Sequence, residues 1–248
     1  MLRSFGLVKR AALWSLLILI AATASITAGE LVLRLRGFGP WRKMAVYASA
    51  PITTMPDPQL GWVNQPGDYL YPVHGADRPP VRITILPDGA RGHAPAVGAT
   101  PDIAVFGCSF AHGWGVGDDE AFPALLQRME KREVANYGVV GYGTLQSFLL
   151  WKRQSGNGRM HPRVVVYGFL DHHVERNVAP PEWLHVLAAI AKHDERLAIP
   201  FAYLDGAGGR LAIAGPVRYP RWPLREHLAL VSFLQDRYAQ LEGGHRRD

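Results

Sequence analysis

Hydrophobic and polar positions follow a different pattern in each of three parts of the chain. An uncharged stretch at residues 11–29 follows a basic tail at residues 1–10. As a helix, with about 1.5 Å of rise per residue, this stretch is roughly 28 Å long, close to the thickness of a bilayer core. Prolines recur through residues 30–100 and predict a loop-rich extension with short strands. In residues 101–248, short apolar runs alternate with segments of helical periodicity, which predicts a domain of strands and helices.

The apolar stretch predicts a single-pass transmembrane anchor. Arg3, Lys9 and Arg10 precede it, as basic residues precede both anchors and signal peptides. The Ala-Thr-Ala sequence at residues 22–24 resembles a cleavage site, so a cleaved signal is one alternative and a buried soluble helix is another. The Leu-Val-Leu sequence at residues 31–33 lengthens the apolar run beyond a usual signal core, which favours the anchor. Basic residues flank both ends of the run and therefore do not decide its orientation.

Short β-rich runs and amphipathic segments define the remaining elements. The predicted strands are residues 69–73, 81–86, 103–106, 134–137 and 163–169, and the predicted helices are residues 121–131, 144–151, 181–192 and 224–241. The strand at 163–169 has a continuous apolar run at its centre, which is typical of a parallel strand buried on both faces. The alternation predicts an α/β fold, with a three-layer α/β/α arrangement around a doubly wound parallel sheet.

Composition narrows the classes of protein that fit this pattern. Hydrophobic residues make up 48% of the chain and charged residues 19%, which excludes a wholly disordered protein. A single cysteine, Cys108, excludes an internal disulfide framework and a cysteine-rich metal site. The net charge of +6 is dispersed and accompanies no nucleic-acid-binding module, so no nucleic-acid partner is predicted. No cofactor and no metal are predicted, because adjacent histidines such as His172 and His173 rarely bind one ion together.

Three loops at the predicted carboxyl ends of strands contain the candidate chemistry, since ligands of doubly wound sheets bind there. The loop at 106–111 places Ser109 after a strand, where its hydroxyl can be exposed and its N–H can face a developing oxyanion. A helix cap is the alternative for this serine. The glycine-rich loop at 135–144 lets backbone amides approach a ligand, or serves only to turn the chain. The polar loop at 168–177 is typical of an active-site rim or of ordinary surface.

Together these loops resemble conserved blocks of the SGNH/GDSL hydrolase family. Gly107-Cys108-Ser109-Phe110 is similar to the family's nucleophile block, Gly-Asp-Ser-Leu or Gly-Asp-Ser-Phe, with Cys108 in place of the aspartate. Residues 134–146 resemble the second block, whose glycine amide lines the oxyanion hole, and Gly141 is the matching glycine. Upstream, residues 57–62 and 88–91 resemble the segment that precedes the catalytic domain in membrane-anchored members.

The resemblance implies an SGNH, flavodoxin-like fold and a serine ester hydrolase. Ser109 would attack an acyl carbonyl, and the N–H groups of Ser109 and Gly141 would stabilise the oxyanion. The implied substrates are O-acyl esters, either acetyl groups on envelope carbohydrate or lipid esters. The implied location is a membrane-anchored domain on the extracytoplasmic side, which is the periplasmic side in a bacterium.

The sequence departs from the family's pattern in two places. Where the family's third block supplies an asparagine, this chain has Asp171-His172-His173, and His172 aligns best as a substitute donor to the oxyanion. The family's C-terminal Asp-x-x-His is missing, and neither His227 nor His245 follows an aspartate at that spacing. We therefore expect a hydrolase-like domain that is incomplete at its C-terminal end. The alternatives are an inactive truncated product, a binding or scaffolding protein that keeps the pocket, and a protein in which Cys108 is the reactive group.

Overall fold

The computed structural model of the protein describes residues 2–44, 50–73, 79–92, 100–156, 160–190, 197–206 and 209–245. In chain order, its elements are α1 (Leu2–Leu35), β1 (Thr54–Asp57), β2 (Gly61–Asn64), β3 (Gly67–Tyr71), β4 (Val81–Ile85), β5 (Ile103–Gly107), α2 (Ser109–His112), α3 (Phe122–Glu130), β6 (Val134–Gly138), α4 (Thr144–Gly156), β7 (Val164–Gly168), α5 (His172–Arg176), α6 (Pro181–Ile190), β8 (Ile199–Leu204), β9 (Leu211–Val217) and α7 (Ala229–His245). They belong to two compact units, residues 1–42 with 220–242 and residues 43–219 with 243–248. The predicted α/β class is confirmed.

The first unit contains the long apolar helix α1. The 24-residue segment Ala12–Leu35 has a mean hydropathy of 2.1 and is not buried. By length and composition this segment can cross a membrane, as the sequence predicts. The helix extends through the predicted basic tail and continues to Leu35, so it is longer at both ends than the uncharged stretch.

Within this unit, Glu30 joins α1 to α7. Its carboxylate accepts hydrogen bonds from the backbone N–H groups of Ala229 (3.0 Å) and Leu230 (2.9 Å). The first N–H groups of a helix have no acceptor inside the helix, so a carboxylate at this position satisfies them and interacts favourably with the helix dipole. Nearby, the Arg225 guanidinium lies 3.9 Å from the centroid of the Trp41 ring. The segment after residue 220 is thus fixed to the end of α1.

The second unit is built on a parallel sheet in which β5 lies between β6 and β7. All five residues of β5 are buried. The register places Gly107, the last residue of β5, opposite both Gly138 and Gly168. The three strands therefore end at the same level, and the loops that follow them share one edge of the sheet. This arrangement confirms the parallel strands predicted from the sequence.

One expectation about this sheet is wrong. The continuous apolarity of residues 163–169 indicates a strand buried on both faces, but Val164 and Val165 are 50% and 45% exposed. Among the described residues β7 pairs only with β5, so it is an edge strand. The side chains at the start of β7 are consequently less buried than those of the central strand β5.

The extension before residue 101 contains two β-hairpins. β3 and β4 form an antiparallel pair and confirm the two predicted strands with slightly shifted bounds. β1 and β2 form a second antiparallel pair that the prolines concealed, because Pro56 lies within β1 and a proline is tolerated in such a two-stranded ribbon. Arg91 bridges from Ile85 to Asn136, which makes the β3–β4 hairpin continuous with the parallel sheet.

The predicted helices are present with adjusted ends. α3, α4, α6 and α7 correspond to the helices predicted at 121–131, 144–151, 181–192 and 224–241, of which residues 191 and 192 lie outside the described part. After α6 the chain forms an antiparallel hairpin, β8–β9, rather than a further strand of the parallel sheet. The sequence analysis did not predict this hairpin.

Arg91 fixes the loop that follows Ser109. Its side chain is buried, and its Nε pairs with Asp118 Oδ1 at 3.1 Å. Nη1 donates to the carbonyl oxygens of His112 and Gly113 (2.6 Å each), and Nη2 donates to that of Val116 (2.6 Å). Burial, together with the Arg91 charge, lowers the pKa of His112 to about 3, so this imidazole is neutral. One side chain of the extension thus donates to three backbone carbonyls of the 112–118 turn.

Replacing Arg91 with alanine is expected to destabilise the protein strongly. The change leaves the buried Asp118 carboxylate without its counter-charge and removes a donor from each of three carbonyls, and breaking a buried pair costs about 3–5 kcal/mol. Urea unfolding of the detergent-solubilised full chain measures the loss. Arg82→Ala is the control, because its ion pair with Asp68 is exposed and its loss should change stability little. Equal unfolding curves for the two variants would contradict this role of Arg91.

Candidate functional site

Ser109 lies at the first residue of α2, immediately after β5. Cys108 beside it is fully buried, whereas Ser109 is partly exposed. α2 packs tightly against the end of β6, since a Cβ added at Gly138 would lie 2.3 Å from the His112 backbone nitrogen. Only glycine permits this approach. The sequence expectation that Ser109 follows a strand in a tight turn is therefore correct, while the burial of Cys108 opposes a reactive role for that thiol.

Gly141 occupies the turn after β6 in a conformation that favours glycine. Its φ is +87°, and a Cβ there would lie 3.0 Å from Cζ2 of Trp62. The Trp62 indole N–H donates to the Val140 carbonyl (2.8 Å), and the Tyr142 hydroxyl donates to the Trp62 carbonyl. A strand of the extension thus holds the second loop from both sides of Gly141.

Ser109 and Gly141 line the same cavity, which has a volume of about 440 Å³. Trp62, Trp114 and Trp183 contribute to its walls, and most of the other lining side chains are aliphatic. In the described part of the chain, the N–H groups of Ser109 and Gly141 donate to no backbone carbonyl, so both remain able to bind a ligand. The described residues that line the cavity include no histidine, aspartate or glutamate.

The third loop holds a histidine pair in α5. His173 is fully buried, and its Nδ1 lies 2.7 Å from the Tyr167 hydroxyl. Burial and the neighbouring charges of His172 and Arg176 lower the pKa of His173 to about 4. The pKa of His172 is also lowered, first by burial and then by the Arg176 charge, so it too is neutral at pH 7. The side-chain carbonyl of Asn177, at the end of this loop, already has a partner, because its Oδ1 accepts a hydrogen bond from Leu145 N (2.9 Å).

His172 lies close to the nucleophile loop without lining the cavity. The nitrogen or sulfur atoms that Cys108, His172 and His173 could offer to a metal lie within 4.8 Å of one another. The Arg176 guanidinium interacts with the Cys108 thiol, and this positive charge opposes a cation at the same place. The structure therefore brings two of the three predicted site residues, Ser109 and Gly141, into one cavity and leaves His172 outside its lining.

Neither of the two C-terminal histidines, His227 and His245, is among the described residues that line the cavity. His227 is exposed and belongs to the first unit, and the side chain of His245 lies outside the described part of the chain. No catalytic base is assigned among the described residues, and the sequence offers no candidate at the family's spacing.

Arg176 is a site residue that the sequence analysis missed. It lines the cavity, its Nη1 donates to the Tyr142 carbonyl (3.0 Å), and its guanidinium lies 4.0 Å from the centroid of the Trp183 ring. Burial lowers its pKa, although the Cys108 thiol and the Tyr167 hydroxyl favour its charged form. The one signal in the sequence was its place four residues after His172 on the same short helix.

Asp57 attaches the β1–β2 hairpin, and with it Trp62, to α4. Its carboxylate accepts two hydrogen bonds from Arg153, at 2.6 and 2.9 Å. It also accepts hydrogen bonds from the backbone N–H groups of Gln59 and Leu60. Burial alone would raise the pKa of Asp57, but the hydrogen bonds from Arg153 and the backbone outweigh it and leave this pKa lowered.

Comparisons with known proteins do not assign this chain to a family. No protein-family model matches the chain, and no curated protein matches it. The fold and site define an α/β protein with a mainly apolar cavity at the carboxyl ends of parallel strands.

Asp57→Asn is expected to lower the free energy of unfolding in a pH-dependent way. Because the folded pKa of Asp57 lies below the unfolded one, its contribution is complete at pH 7 and is lost as pH falls through the folded value. We expect a difference of about 1–3 kcal/mol at pH 7 that shrinks as pH falls through the lowered folded pKa of Asp57. Chemical unfolding at a series of pH values measures it, with Asp119→Asn, at an exposed carboxylate, as the control. A difference that is independent of pH would contradict the assignment.

Proposed function

We propose that this chain is a membrane-anchored serine ester hydrolase with an SGNH/GDSL-type, doubly wound arrangement. The observation that carries the proposal is the convergence of Ser109 and Gly141 on one cavity from the loops after two neighbouring parallel strands. The order β6-β5-β7 and the helices between these strands are consistent with such a sheet. The apolar helix α1 supports an anchor, and we propose that the second unit lies on the extracytoplasmic side.

The proposed reaction begins with attack by the Ser109 hydroxyl oxygen on the acyl carbonyl of an ester. A C–O bond to serine forms, the bond to the alcohol breaks, and the serine proton leaves with the alcohol. The N–H groups of Ser109 and Gly141 stabilise the oxyanion of each tetrahedral intermediate, a role for which their unpaired donors are suited. Water then releases the acid and restores the serine. His172, which is neutral at pH 7, is proposed as a third donor to the oxyanion; it lies outside the cavity lining, but a nitrogen of its ring is within 4.8 Å of the sulfur of Cys108, the residue beside Ser109.

A second candidate function is non-catalytic binding in the same cavity. The observation that favours it is the lining itself, in which the described residues provide no imidazole or carboxylate to accept the serine proton. A binding or scaffolding protein needs the cavity and its backbone donors but no general base. Hydrolysis assays separate the two functions.

Serine-dependent hydrolysis is the expected result for the detergent-solubilised chain with p-nitrophenyl acetate. Ser109→Ala should reduce turnover to the uncatalysed background, because the proposed reaction forms the acyl bond on the Ser109 oxygen. Ser155→Ala, on α4 and outside the cavity, is the matched control and should keep wild-type turnover. Equal background rates for the wild type and both variants would support the binding protein.

His172→Ala is expected to lower kcat by about 10²–10³ if its imidazole donates to the oxyanion. KM should change less, because the hydrogen bond strengthens mainly in the transition state. His161→Ala, at an exposed histidine before β7, is the control for general effects of losing an imidazole. An unchanged kcat in His172→Ala would remove His172 from the proposed oxyanion hole.

A further inference from the structure

The proposed catalytic cavity combines apolar walls with a single cation. Its described lining includes three tryptophans, two methionines and a row of aliphatic side chains, whereas Arg176 is the charged residue among them. Trp183, Leu187 and Ile190 are spaced at i, i+4 and i+7 along α6 and present one continuous apolar face. Such a surface favours an aliphatic chain over a sugar, because it offers a hydroxyl-rich ligand few hydrogen-bond partners.

Among the described residues, no carboxylate forms an ion pair with Arg176. Within the described residues, the groups that stabilise its charged form are the Cys108 thiol and the Tyr167 hydroxyl, and neither is an aspartate or glutamate. A guanidinium has five N–H donors, of which Nη1 donates to Tyr142 and the planar face rests on Trp183. Burying such a group without a counter-charge is costly, so a ligand that supplies one gains affinity.

We propose that the cavity binds an amphipathic ester with an aliphatic chain and an anionic group, and that the anion pairs with Arg176. As a statement about substrate, this rests on the proposed hydrolase function, and it selects lipid-like esters over acetylated carbohydrate. Arg176 interacts with Cys108, the neighbour of Ser109, so the anion is held near the reacting carbonyl while the chain lies along α6. A phosphate and a carboxylate share the required chemistry, since each accepts paired hydrogen bonds from a guanidinium.

Calorimetric titration of the full chain in phosphatidylcholine nanodiscs tests the proposal, with empty nanodiscs of the same composition as reference. The probes are hexyl phosphate, hexanoate, 1-hexanol and inorganic phosphate. We expect either amphipathic anion to bind at least about 10-fold more tightly than 1-hexanol or inorganic phosphate, as hydrogen bonds to a charged group would give. The ratio between hexyl phosphate and hexanoate tells which anion the site prefers.

Variants assign the preference to Arg176. Arg176→Gln should remove the advantage of the anions over 1-hexanol, and Arg176→Lys should retain part of it. Arg128→Gln, at an exposed arginine outside the cavity, is the matched control and should bind as the wild type does. Unchanged binding of 1-hexanol by Arg176→Gln verifies that the cavity is intact. If Arg176→Gln also loses the binding of 1-hexanol, the comparison uses Arg176→Lys, which should keep part of the preference for the anions over 1-hexanol.

The outcome is independent of catalysis. None of the four probes contains an acyl ester, so their binding needs no turnover and a failure of hydrolysis leaves the binding result untouched. Equal affinity for 1-hexanol and hexyl phosphate in the wild type would overturn the inference. So would an anion preference that persists in Arg176→Gln, or inorganic phosphate binding as tightly as hexyl phosphate.

Discussion

The buried guanidinium of Arg91 is the contact on which the geometry of the nucleophile loop depends. Backbone carbonyls that turn away from regular structure must find donors, and a side chain with several N–H groups can satisfy many of them at once. Arg91 does so for His112, Gly113 and Val116, while Asp118 balances its charge. The loop after Ser109 is therefore held by a residue of the extension in addition to the hydrogen bonds of its own backbone.

The second loop, which contains Gly141, is likewise held by hydrogen bonds from side chains to backbone carbonyls. Trp62 donates its indole N–H to Val140, Gln146 donates to the Leu60 carbonyl at 2.7 Å, and Asn64 donates to the Gly138 carbonyl at 3.0 Å. These hydrogen bonds dock the β1–β2 hairpin on the loop that contains Gly141. The cavity is thus made jointly by the extension and the parallel sheet. Its character, apolar with one guanidinium, follows from side chains that these contacts bring together.

Several elements of this architecture could be predicted from local pattern. The strand before Ser109 and the helix after Gly143 were predictable because apolar runs, glycines and helical periodicity are properties of neighbouring residues. β1 and β2 were not, because Pro56 conceals a strand that is stabilised by its partner. The exposure of Val164 also could not be predicted, since strand order decides which strand is central.

The sequence by itself determined a helix long enough to cross a membrane, an alternation of strands and helices, and a serine placed at the end of a strand. Only the tertiary structure decided what surrounds that serine. Trp62 meets Val140 across 78 residues of chain, and Gln146 meets Leu60 across 86. The position of Arg176 in the cavity depends in the same way on the packing of α5 against the second loop. Local periodicity contains no information about such pairs, because their hydrogen bonds and packing exist only once the distant segments have come together.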